Sequence, residues 1–82
     1  NPTEPAKSKD KKYSGTYVVT AKSGLRLRSG AGTNRSIINV IPAHEHVVCH
    51  GYYTESKDIV WLYVQYGKYT GFVDMQYLRN VK

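Results

Sequence analysis

No stretch of ten residues in this chain carries helical periodicity, and that absence constrains the fold more than any other feature. Apolar residues come instead in short runs separated by turn residues. Tyr17 to Thr20 is rich in β-branched and aromatic side chains, and Lys22-Ser23-Gly24 breaks it. Leu25-Arg26-Leu27-Arg28 alternates strictly, leucines on one face and arginines on the other. Ser29 to Asn34 is a loop made wholly of turn-forming and small residues. Ile37 to Ile41, stopped by Pro42, and His46 to Tyr53 read as two more strands. Thr54 to Asp58 is polar and turn-like. Ile59 to Tyr66 and Tyr69 to Val73 flank a tight turn at Gly67. A short 3-10 turn over Asp74 to Gln76 leads into a last strand around Tyr77 to Val81. The expected fold is all-β, a small barrel of six or seven short strands. Closing the sheet would remove the edges that a flat sheet of this size leaves open.

The 82 residues suffice for one small domain. They exclude a cavity between two lobes and a nucleotide-binding sheet of ~150 residues or more. The longest apolar run, Ile59 to Val64, is far short of the ~20 residues a spanning helix needs, so membrane insertion is not expected. Residues 1–14 read as an extended or disordered linker: Pro2, Pro5, several lysines and nothing aliphatic larger than Ala6. Residues 15–82 form the folded unit, with an expected core of Val19, Leu25, Leu27, Ile38, Val40, Val47, Leu62, Val64, Val73 and Leu78. The chain begins at Asn1 and reads as a piece of a longer protein, with a further domain expected before the linker.

The formal charge is +6, unevenly spread. Between Lys11 and His44 there is no acid, while Arg26, Arg28 and Arg35 cluster there with three lysines. Such a one-sign surface attracts anions. Eight of the ten aromatic residues are tyrosine, a side chain suited to half-buried binding faces as well as to β-sheet packing. The lone cysteine, Cys49, excludes an internal disulfide and is expected to pack as a small hydrophobe.

Leu25-Arg26-Leu27-Arg28-Ser29-Gly30-Ala31-Gly32-Thr33 resembles the Leu-x-Val-Arg-Ser-Gly-x-x-Thr signature of bacterial SH3-like domains. Trp61-Leu62-Tyr63-Val64 resembles that family's Trp-Tyr-x-Val strand. Gly71-Phe72-Val73 followed by Tyr77-Leu78 resembles its Gly-Trp-Val…Tyr-Leu ending. The motifs come in the family's order and at its spacing, and they cover roughly Tyr17 to Val81. The chain departs from the pattern at Arg26, where Asn is usual, at Phe72, where Trp is usual, and near His44, where the family has a loop Gly. Gly71 to Leu78 also matches the Gly-x-Ile-Pro-x-Asn-Tyr-Val ending of eukaryotic SH3 domains, in which the Tyr faces a Trp across the ligand groove.

The resemblance implies an SH3-like barrel in which Trp61 and Tyr77 share a groove, with Tyr53 and Tyr63 alongside and Arg28 and Asn34 reaching in from the facing loop. It implies a non-catalytic module that binds bacterial cell-wall peptidoglycan, through a stem peptide or cross-bridge. Teichoic acid phosphates would add to the attraction. The module would tether a covalently linked amidase, muramidase or endopeptidase to the wall outside a Gram-positive cell, as in an autolysin or a phage endolysin. No cofactor is implied. Two other binding classes stay open. A basic, tyrosine-rich barrel also suits single-stranded nucleic acid, and an SH3-type groove suits proline-motif peptides. A metal reading rests on His44, His46 and His50 near Cys49, against the simpler reading of polar residues on the outer face of a strand.

Overall fold

A computed structural model describes residues 3–81. It is all-β, as the sequence pattern predicts. The strands are β1 (Ser8–Lys9), β2 (Gly15–Val19), β3 (Leu25–Arg28), β4 (Ile37–Ile41), β5 (His46–Ser56), β6 (Ile59–Tyr66), β7 (Tyr69–Asp74) and β8 (Leu78–Val81). Two single 3-10 turns, Lys11–Tyr13 and Met75–Tyr77, complete the chain. The strands form one antiparallel sheet in the order β4-β3-β7-β6-β5-β2-β8, with β1 added on β5. The molecule measures 26 × 25 × 25 Å, so this sheet is strongly curled.

The curled sheet stops short of the closed barrel expected from sequence. β4 and β8 stand at the two ends of the strand order and do not pair. β8 has four residues, all matched to β2. Pro42 ends β4. Between β3 and β7 the ladder is a single pair, Arg28 with Phe72. That contact is nevertheless close. A Cβ on Gly71 would lie 2.6 Å from the Arg28 carbonyl oxygen and 3.0 Å from Leu27 Cγ, so only glycine admits it.

The concave face carries the main core: Tyr17, Val19, Leu25, Leu27, Ile41, Val47, Cys49, Leu62, Val64 and Val73. Each fully buried aliphatic side chain there contributes roughly 1.5–3 kcal/mol of hydrophobic stabilisation. Seven of the expected core positions are buried. Ile38 and Leu78 are partly buried at its margin. Val40 is exposed and Ile41 is buried in its place. The cause is an irregularity in the ladder between Leu27 and Arg28, which shifts β4 by one residue so that Ile41 faces Leu25.

The loop expected over Thr54 to Asp58 is shorter than predicted. β5 continues through Ser56, and Lys57 and Asp58, with φ of 51° and 66°, make a two-residue hairpin turn. His44 also takes a positive φ, 72°, at the position where the resembled family carries glycine.

Part of the convex face of β6 and β7 is also covered. Trp61 and Phe72 are 4% and 1% exposed, yet neither belongs to the concave core. Here residues 3–9, expected as a free linker, lie on the sheet. The Glu4 N–H donates to the Ser29 carbonyl at 2.7 Å, the Lys7 N–H to Thr54 Oγ1 at 3.0 Å, and β1 pairs with Tyr52 and Tyr53. The segment meets β5 where that strand bulges: Asp10 donates its N–H to the Gly51 carbonyl at 2.8 Å. Phe72 supplies the reason for this order. It points away from the core and would stand in water without the strap.

Candidate functional site

The other end of the convex face is open. A groove of about 430 Å³ runs between β3 and the start of β6. Arg26 and Arg28 line one side, since both occupy the outward positions of the alternating β3 run. Ile59 and Trp61 from β6 form its base, with Thr33 from the β3–β4 loop beside them. Tyr77, 44% exposed, and Gln76 reach in from the second 3-10 turn, and Asp74 closes that side. The turn is held by Asp74 itself. One carboxylate oxygen accepts from the Gln76 N–H at 3.0 Å and the other from its side-chain amide at 2.9 Å.

The chemistry of the lining is specific. Arg28 donates one Nη1 hydrogen to the Arg35 carbonyl at 3.0 Å, which fixes its side chain and leaves further donors free. Among the described residues neither Arg26 nor Arg28 is ion-paired. Trp61 makes no side-chain hydrogen bond there, and no buried polar atom is left without a partner, so its indole N–H keeps some exposure at the two depressions that Trp61 lines. The groove therefore offers two aromatic surfaces, a free indole donor, two guanidinium groups and one carboxylate. That set packs a short apolar side chain and pairs an anionic group next to it.

Three of the six residues expected to bind ligand, Arg28, Trp61 and Tyr77, line this groove. Asn34 lies in a neighbouring hollow of about 270 Å³, which shares Thr33, Ile59 and Trp61 with the groove. Tyr53 and Tyr63 lie elsewhere. Tyr53 stacks at a tilt on Tyr13, ring centres 4.6 Å apart, at the flank of the concave core. Tyr63 meets Phe72 edge-on at 5.1 Å, on the covered end of the convex face. Groove residues missed in the sequence include Arg26, Thr33, Ile59, Asp74 and Gln76. Arg26 was legible from its alternation with Leu25 and Leu27. Asp74 was legible as an acid preceding a short turn.

Away from the groove, Lys9, Lys12 and Lys68 sit over the rings of Tyr52, Tyr13 and Tyr69 at 4.9, 5.1 and 5.5 Å. His46 and His50 are exposed on the outer face of β5, while Cys49 faces inward. Among the described residues no cluster of three His, Cys, Asp or Glu could hold a metal ion. Burial pushes the Cys49 thiol and the Tyr17 phenol above their ordinary pKa values. Compared with protein-family models, curated proteins and solved structures, the chain matches none.

Proposed function

We propose that this chain is a non-catalytic binding module for peptides of the bacterial cell wall, and that its groove takes a short peptide bearing a free carboxylate. One observation carries the reading: Trp61 and Tyr77 line a single groove with two arginines that lack acidic partners among the described residues. The rings would pack the peptide's small apolar side chains, and Arg26 and Arg28 would pair its carboxylate. The motif resemblance to bacterial SH3-like domains supplies the ligand's source, peptidoglycan. It also supplies the biological setting, which is targeting of an attached wall hydrolase outside the cell. The +6 charge would add long-range attraction to phosphate-bearing wall polymers.

Co-sedimentation with purified Gram-positive walls tests the reading. The wild-type chain pellets with the walls. Tyr77→Ala, which removes an exposed ring, weakens binding about tenfold, the loss expected for an aromatic anchor worth ~1.4 kcal/mol. Arg26→Gln combined with Arg28→Gln has an effect at least as large. Pelleting of both variants at the wild-type level contradicts the assignment.

A further inference from the structure

The hollow beside the groove leads to a carboxylate that is already in place. Ala31, Arg35 and Ser56 line both that hollow and a recess of about 90 Å³ beneath residues 4–7. The three depressions thus follow one another from Tyr77, past Trp61, to Glu4. At the far end Glu4 Oε2 lies 2.9 Å from Arg35 Nε. The same carboxylate rests on Gly30 so closely that a Cβ there would come within 2.6 Å of its carbon. Gly30 and Arg35 therefore form a cradle of carboxylate size, with a bare backbone floor and a guanidinium wall.

We propose that this cradle is a second carboxylate subsite of the binding surface, and that Glu4 is a built-in occupant which a ligand carboxylate replaces. The inference rests on the peptide-binding reading and sharpens its ligand. The preferred peptide is acidic at two points, one carboxylate meeting Arg26 and Arg28 and the other meeting Arg35. Exchange is cheap. The Glu4 and Arg35 side chains are 46% and 42% exposed, and an exposed ion pair holds weakly. The Glu4 side chain swings out while the Lys7 bond to Thr54 and the β1 ladder keep the strap on the sheet.

Titration calorimetry with two synthetic peptides tests the proposal: one carries two free carboxylates, the other is the same peptide with both amidated. Glu4→Gln, which empties the cradle of charge, tightens the dicarboxylate about two- to fivefold, the range an exposed ion pair spans. It leaves the amidated peptide unchanged. Adding Arg35→Gln to Glu4→Gln abolishes the gain. Glu55→Gln removes a nearby negative charge that does not touch Arg35, and it produces no gain. If Glu4→Gln gives no gain, tightens both peptides alike, or is matched by Glu55→Gln, Glu4 is not an occupant, while wild-type binding keeps the groove reading intact. If the wild-type chain binds neither peptide, the peptide-binding reading falls and takes the subsite with it.

Discussion

The two ends of the convex face of β6 and β7 both carry buried aromatic residues, but only one has an open groove beside it. At one end Phe72, flanked by Tyr63, is shut under residues 3–9. At the other, Tyr77, 44% exposed, and a nearly buried Trp61 line an open groove with two arginines that have no ion-pair partner among the described residues. Nothing in the aromatic residues themselves separates these ends. The difference lies in what the rest of the chain lays over them. The aromatic face becomes part of a groove only where the chain leaves space beside it and places charge there.

The largest way to break this comparison is Phe72→Ala. If the strap and Phe72 form a second small core, the substitution costs about 3–5 kcal/mol in chemical denaturation. That is a large share of the total stability of a domain this size. Wall binding by the folded fraction stays normal. A cost under ~1 kcal/mol would mean that the strap seals nothing. Trp61→Ala should carry a stability cost of the same order, because Trp61 is 4% exposed. It is therefore a poor probe of the groove, although from sequence alone a floor residue looks dispensable to the fold. Trp61→Phe is the cleaner probe. It keeps a ring in place and removes the indole donor, and it should weaken wall binding several-fold at a stability cost near 1 kcal/mol.

Tyr53 and Tyr77 sharpen the contrast further. Tyr53→Ala removes the ring that stacks on Tyr13 and should cost about 2–3 kcal/mol of stability without changing wall affinity. Tyr77→Ala should do the reverse, losing affinity with a stability change within about 0.5 kcal/mol. Two variants that shift stability and binding together would erase the distinction between a packing tyrosine and a groove tyrosine.

The smallest expected effect is alkaline and belongs to the closed interior. Cys49 and Tyr17 have pKa values raised by burial in the folded state. Each group releases its proton more readily when unfolded. Their stabilising contribution is complete below the unfolded pKa values and is lost as pH rises through the ordinary thiol and phenol range, ~8.5–10. Denaturation midpoints should fall across that range, and Cys49→Ala should flatten the first part of the fall. An unchanged slope in Cys49→Ala would show that the thiol plays no part in it.

Much of this architecture is legible in the chain. Strict alternation in Leu25 to Arg28 sets the leucines inward and both arginines outward, and the structure has them so. Gly71 is legible as a tight bend or a close strand approach that excludes a Cβ, and the structure shows the close approach. Two kinds of information were not available locally. One is register: the irregularity in the β3–β4 ladder exchanges Val40 for Ile41, and the bulge in β5 between Cys49 and Tyr53 turns Tyr53 toward Tyr13. The other is coverage from far along the chain. Residues 3–9 carry no apolar signal of their own, and their place on the sheet follows from Phe72, more than sixty residues away in sequence. Arg28 could be placed because its own strand alternates strictly, although its pairing with β4 is irregular, and Trp61 because it sits on a regular stretch of β6. Tyr63 could not, because its ring turns to Phe72 and away from the groove.

The most direct measurement is an NMR titration of the isotope-labelled chain with muropeptides of defined composition. The account predicts saturable shifts centred on the Trp61 indole N–H and the Tyr77 backbone, with Arg26 and Arg28 following. Shifts confined to the lysines of residues 7–12, or none at saturating peptide, would contradict it.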